Sequence, residues 1–479
     1  MWPVELPRSY LDAPPRGLPE WSSAKLLSRG HRLGCSRTLY FLLTVLLIGS
    51  AVIVPAGARP PTGPTDFQVI DHRGAVVPAQ YAVAPIQPDG FRNVSAVEKA
   101  IGFLLRLQPE GTYILTSPDV DDVVHMDVAH AAIALAKVGR LAESEAAMSW
   151  MLSLMTLPGA LDQYQEVTVE GDSARIDYAG SWYDHYRTTG EPKRNLTRGR
   201  GEGVGMGLIA IYTIYREDPS YARRDIEGIS VLDRVALAVG YLTSPAMQHP
   251  DGRFNHRPDY PVSFGEEAAR MALGLELASK MLEDAGEHLT AQLARDGAAR
   301  GLNALRSGDG LNYGMAFDYY AMGLWGLATP EQAQEELRLL RAAGMVTPDG
   351  VRNWDWQVHQ AEDWRDRLFY WAASQTIGPA QTFDWAIASI AAGNSKDALA
   401  MERRWLPLQR EDGSFAGCYV LGLRLGLGPP NSYTTARFIL LERMLKEALS
   451  PTPLTVDVSE DQMAPRAVLA VSLGDASHS

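Results

Sequence analysis

The chain has 479 residues, 46% hydrophobic and 21% charged, enough to bury a large core and unlike a disordered, collagen-like or coiled-coil chain. Its net charge of −13 repels phosphate backbones, which excludes a general nucleic-acid binder. Two cysteines, Cys35 and Cys418, are too few for a disulfide framework or a cysteine-rich zinc site.

Residues 1–38 read as a polar leader. The run LYFLLTVLLIGSAVIV at 39–54 carries no charge, and Lys25, Arg29, Arg32 and Arg37 precede it. A basic flank stays in the cytoplasm, so residues 39–58 are expected to be a transmembrane signal anchor with the main domain extracytoplasmic. Ala56-Gly57-Ala58 also fits a signal-peptide cleavage site, so a protein secreted after cleavage behind Ala58 is the other expectation. Either topology keeps Cys35 from pairing with Cys418. Residues 59–93 are rich in Pro and Gly and read as a linker with one short strand. Residues 94–449 form the main domain, and 450–479 a loose Pro-containing tail.

The main domain reads as helical almost throughout. Apolar spacing predicts helices over 96–107, 124–137, 141–155, 202–216, 229–243, 264–283, 289–305, 313–326, 330–343, 365–376, 380–392, 395–405 and 432–448. Strand signals are weak. A turn recurs where helices end: Gln108-Pro109-Glu110-Gly111, Gln248-His249-Pro250-Asp251-Gly252-Arg253-Phe254, the degenerate Thr347-Pro348-Asp349-Gly350, and Gln409-Arg410-Glu411-Asp412-Gly413-Ser414-Phe415. In each, Gly supplies a positive φ and most copies end on a residue that packs back.

Such turns repeated through a helical chain indicate stacked hairpins, and about six of them close into a ring. This arrangement resembles the α/α toroid of the six-hairpin glycosidases, and also that of terpene cyclases and protein prenyltransferases. The predicted class is therefore all-α, an α/α toroid behind an N-terminal transmembrane or signal segment. An open helical solenoid is the alternative.

Three clusters are chemically suggestive. Arg200-Gly201-Glu202-Gly203-Val204-Gly205-Met206-Gly207 opens a helix with three glycines alternating after one Glu, a costly composition in a helix interior. It resembles the Ser-Glu-Gly-x-Gly-Tyr-Gly-Met segment of family 8 glycoside hydrolases, with Gly201 for the Ser and Met206 for the Tyr. That resemblance implies Glu202 as general acid. Without it, Glu202 is a residue favoured by the helix dipole and the glycines allow close packing.

The second cluster holds Asp119, Asp121, Asp122, His125, Asp127 and His130 within twelve residues. Asp127 matches a second family 8 segment, although the two segments follow each other in reversed order here. Asp119, Asp121, Asp122 and Asp127 are candidates for the carboxylate opposite Glu202. Asp119 or Asp122 capping the next helix is the plain alternative. Asp119-Val120-Asp121-Asp122 also resembles the Asp-x-Asp-Asp motif of class II terpene cyclases. An oxygen-rich calcium site at Asp121, Asp122 and His125 is a further possibility weighed; the reading adopted assigns no metal and no cofactor.

The third cluster is aromatic and acidic. Trp354, Asp355 and Trp356, with Glu362 downstream, then Asp384 and Trp385, recur in the pattern of Trp182 and Asp184, and Asp318-Tyr319-Tyr320 is similar. Sugar rings stack on aromatic faces while carboxylates take hydroxyls; aromatic core packing is the alternative for any single ring.

The sequence thus predicts an exported, membrane-anchored enzyme acting on an oligo- or polysaccharide by paired carboxylates, with no nucleic-acid partner. A uronic-acid lyase or epimerase, a terpene-cyclase-like enzyme and a non-catalytic glycan- or protein-binding toroid are the alternatives.

Overall fold

The structure is a computed structural model that describes residues 69–70, 76–77, 93–118, 120–169, 172–193, 198–261, 263, 265–306, 330–342, 346–352, 376–420 and 426–449. Residues 1–78 and 79–479 are separate compact units. In the first, Val69–Ile70 pairs antiparallel with Val76–Val77, two short strands where one was expected. The hydrophobic 39–58 segment, the sector of 313–326, and the tail from 450 lie outside the described residues. Among the described residues no helix is long and apolar enough to cross a membrane.

The second unit is mostly helical. Its helices are α1 (Val94–Arg106), α2 (His125–Lys137), α3 (Leu141–Ser153), α4 (Gly201–Glu217), α5 (Val231–Leu242) and α6 (Gly265–Asp284). They continue as α7 (His288–Arg306), α8 (Pro330–Ala342), α9 (Pro379–Ala391), α10 (Ser395–Trp405) and α11 (Ser432–Leu449). Two kinds alternate. α1 buries one stripe, Val97, Ala100, Ile101, Phe103 and Leu104, as a helix on an outer layer does. α4 buries every residue from Gly201 to Ile214, and α2 is buried on nearly all sides, as helices of an inner layer are.

The described inner helices pack on their neighbours in chain order. α2 packs on α4 and α4 on α6; α9 packs on α11, and α11 returns to α2 and α1. The last hairpin therefore touches the first, as a closed ring requires and an open solenoid does not. Hydrogen bonds tie the same seam: Asn93 Nδ2 donates to Glu402 Oε1 (2.6 Å) and Glu442 Oε1 (3.0 Å), and Gln409 Nε2 donates to the Ala96 carbonyl (2.9 Å).

The connections are asymmetric. Segments leading out of inner helices are mostly short, for example 138–140, 285–287 and 392–394, with 218–230 after α4 the longer exception among the described residues. Segments leading into them are long: 107–124, 154–200, 243–264 and 406–431. Long loops over a rigid frame are where binding chemistry collects. One of them carries an antiparallel hairpin, Tyr164–Val169 with Asp172–Asp177, which the weak strand signals did not reveal. Residues 365–375 of the expected helix over 365–376 lie outside the described residues, and Thr376, with Ile377, is instead a strand paired with Val420 and Tyr419.

Candidate active site at the inner-helix mouth

The first turns of the inner helices meet. Gly203 and Gly207 of α4 face the His125 ring that opens α2: a Cβ on Gly203 would lie 2.6 Å from His125 Nδ1. The other face of that imidazole stacks on Trp182, with ring centroids 4.6 Å apart. Gly205 and Gly274 bring the α4 and α6 backbones together, since a Cβ on Gly205 would stand 2.7 Å from the Arg270 carbonyl oxygen. The glycines around Glu202 are thus the sockets in which α2 and α6 seat.

Glu202 is 1% exposed and held by two guanidiniums, Arg270 and, at 2.7 Å, Arg200. Arg200 also grips Glu267 Oε1 at 2.6 Å, and the other Glu267 oxygen bonds His256 Nδ1 at 2.5 Å. Burial acts to raise the Glu267 carboxyl, but the Arg200 charge and His256 outweigh it and hold it below its ordinary range. Paired guanidiniums on one carboxylate favour its charged form.

Asp127 lies in the first turn of α2, 7% exposed. Burial pushes its carboxyl up to about 7, against the Thr116 hydroxyl and the Arg437 charge, while the Asp122 charge adds to the rise. Arg437 of α11 is bonded to Asp384 of α9 and lies 3.3 Å over the Tyr433 ring. Burial also raises the Asp384 carboxyl, opposed by Arg437 and by Arg270. His125, buried, is held neutral, its imidazole pushed down to about 3, and His130 is lowered by burial and the same two arginines. Carboxyls and guanidiniums therefore alternate along one largely buried row: Asp127, Arg437, Asp384, Arg270, Glu202, Arg200, Glu267.

Asp121 and Asp122 sit just before α2 on its approach. Asp122 pairs with Lys193 (2.9 Å) and His185 (3.1 Å), and Asp121 accepts from the Thr188 N–H at 2.8 Å. That backbone N–H, against a smaller effect of burial, holds the Asp121 carboxyl low. Neither caps the helix. Its N-cap is Val124, without a side-chain cap, because Val123 and Val124 pair as a strand with Tyr186 and His185. The same strand takes Asp121 and Asp122 off the helical face on which a cation was weighed, and among the described residues no group of three metal-ligating side chains is arranged around an ion.

The aromatic candidates are placed in the wall. Trp182 is 1% exposed, with its indole N–H donated to the Met151 carbonyl at 2.7 Å. Asp184 is buried and its carbonyl accepts the His125 N–H at 3.1 Å. Trp385 is buried, with Arg341 5.3 Å from its ring. Asp119, Trp354, Asp355 and Trp356, with Asp318 and Glu362, lie outside the described residues. Arg270, Glu267, His256 and Arg437 were not singled out from the sequence. Arg437 had a signal, a lone charge in the apolar run of α11, which folding must pair. His256 had none; only the fold brings it to α6.

At the level of fold the chain resembles, distantly, the six-hairpin glycosidases. A glycosidase solved in complex with glucose matches with a TM-score of 0.54 and 14% identity over 73% of this chain and 96% of that one. A bacterial glucoamylase complexed with acarbose matches with a TM-score of 0.51 and 12% identity over 74% of this chain and 56% of that one. No family model and no curated protein sequence matches the chain.

Proposed function

We propose that this protein is a glycoside hydrolase acting on an oligosaccharide, with Asp127 as the proton donor. The observation that carries the reading is Asp127 itself: a buried carboxyl whose burial lifts it to about 7, at the first turn of an inner helix. A group that still holds its proton near neutrality can deliver it to a glycosidic oxygen as the bond to the anomeric carbon breaks. Asp122, ion-paired with Lys193, supplies nearby negative charge for the oxocarbenium-like state. Glu202 is assigned a supporting part, fixing Arg200 and Arg270, because a doubly clamped anion is a poor source of protons. The glycosidase fold of its structural neighbours favours sugar over isoprenoid chemistry.

The purified chain from residue 59 is expected to release monosaccharide from at least one member of a panel of malto-, xylo- and other oligosaccharides. Sugar binding by the same protein without any turnover would instead support a non-catalytic glycan-binding toroid. The uncharged 39–54 stretch with its basic flank supports export, with residues 39–58 as anchor. A cytoplasm-dependent reporter joined after Ser479 should be silent; full activity there contradicts export.

A further inference from the structure

We propose that the buried ion pair of Arg437 and Asp384 sets the strength of Asp127 as a proton donor: Arg437 steadies the carboxylate that Asp127 becomes, and Asp384 moderates Arg437. This deepens the hydrolase reading and rests on it for its chemistry, while the electrostatic effect can be measured without any sugar.

Arg437 and Asp384 are each 0% exposed. Nε of Arg437 donates to Asp384 Oδ1, and Asp384 Oδ2 has no hydrogen-bond partner among the described residues. The pair is thus joined through one carboxylate oxygen, a looser contact than a two-bond fork. α11, which carries Arg437, packs against both α9 and α2. Arg437 lies 3.3 Å over the Tyr433 ring, and the edge of that ring contact is His130 of α2, with centroids 4.6 Å apart. His130 Nδ1 donates to the Met126 carbonyl at 2.8 Å, one residue before Asp127. These contacts tie the guanidinium to the first turn of α2, and its charge opposes the rise that burial imposes on Asp127.

The other groups around Asp127 act differently. Asp122, on the approach to α2, adds to the rise, and Thr116 offers a hydroxyl and no charge. His125 and His130, on α2 itself, are held neutral by burial. Arg270 of α6 comes within 4.0 Å of Met126 Sδ and is paired with Glu202 of α4. Of these, Arg437 is the cation whose charge reaches Asp127.

The consequence is for the proton transfer. As the glycosidic carbon–oxygen bond breaks, its electron pair passes to the leaving oxygen, which takes the Asp127 proton. Asp127 is left as a buried carboxylate, the form that burial disfavours and a neighbouring cation favours. Water adds to the anomeric carbon and releases a proton, which restores Asp127 through solvent. With too little positive charge nearby, Asp127 holds its proton too firmly; with too much, it is ionised before the sugar arrives.

Two variants of the full-length chain pull in opposite directions. Asp384→Asn keeps an oxygen that accepts from Arg437 and removes the opposing charge, so Asp127 should titrate about one pH unit lower. Asp384→Asn combined with Arg437→Gln removes both charges and leaves no lone buried ion, so Asp127 should titrate above its wild-type value. Carbon NMR of protein labelled at its aspartate carboxyls reads both shifts, with Asp127→Asn assigning the signal. On a sugar that the wild type hydrolyses, the alkaline limb of kcat/KM should move with the NMR titration in each variant, which a loss of packing alone would not do in opposite directions. A titration that does not fall in the first variant, or does not rise in the second, overturns the proposal. Failure of the hydrolase reading looks different: the wild type turns over no sugar, while the opposed shifts of the Asp127 signal persist.

Discussion

Asp127 and His125 stand two residues apart in one buried turn, and burial acts on them in opposite directions. The carboxyl rises to about 7 and the imidazole falls to about 3. Each therefore favours the neutral form in the fold, and each makes folding pH-dependent. Asp127 binds a proton in the folded protein between its unfolded value near 4 and about 7, where the unfolded chain does not. Its contribution to stability is thus full below the unfolded value and is lost as pH rises to about 7, a fall of roughly 4 kcal/mol at most. His125 runs the other way: the unfolded chain binds the proton between about 3 and 6.5, so stability rises with pH there. The two slopes oppose each other over most of the same range. Asp127→Asn removes one of them. Its stability relative to wild type, measured by urea unfolding, should therefore increase steadily from pH 4 to pH 7. A constant difference across that range would mean that Asp127 is ionised in the fold.

At the scale of elements, the helices were legible and their company was not. The predicted helix over 202–216 is α4, and the glycines that mark it were weighed as a catalytic segment or as packing sockets. The structure shows them in a packing role: Gly203 and Gly207 seat His125, and Gly205 meets Gly274 across α4 and α6. No local property of Gly-x-Gly distinguishes a ligand from a neighbouring helix, because both demand the missing Cβ. The strand at Val123–Val124 was missed for a related reason. It is two residues long and exists only because the segment from 185 to 193 lies beside it, tied by Asp122 to His185 and Lys193. The hairpin from Tyr164 to Asp177 had alternating residues but charged ones on both faces, which hid its period. Carboxylates were easy to find in sequence; the arginines that decide their charge, Arg270 and Arg437, come from helices far along the chain.

At the scale of the whole molecule, the repeated turn has a mechanical meaning. Three of its four copies begin with a glutamine. Gln108 Nε2 donates to the Glu143 carbonyl (2.7 Å), Gln248 Nε2 to the Gly297 carbonyl (2.8 Å) and Gln409 Nε2 to the Ala96 carbonyl (2.9 Å). Each amide thus leaves the end of one outer helix and binds the backbone of the next outer helix, and the third bond joins the last hairpin to the first. The glycine of the turn allows the approach: a Cβ at Gly413 would stand 2.0 Å from the Lys99 carbonyl oxygen, at a φ of +87°. The turn read from sequence as a mark of hairpins is the clasp between them. Gln409→Ala should lower the stability of the ring by about 1–2 kcal/mol, the cost of leaving a carbonyl unpaired at the seam. A shift of the urea midpoint to lower concentration checks it; an unchanged midpoint would mean that the seam is held without this bond.

The central claim is that Asp127, in the first turn of an inner helix, gives its proton to a departing sugar oxygen. Leaving-group dependence tests this most directly. Asp127→Asn should lose about 100- to 10,000-fold in kcat/KM on an alkyl glycoside, whose leaving oxygen must be protonated. The same variant should stay within a few-fold of wild type on the matching dinitrophenyl glycoside, whose leaving group departs unprotonated. Equal losses on both substrates, or none on either, would contradict Asp127 as the proton donor.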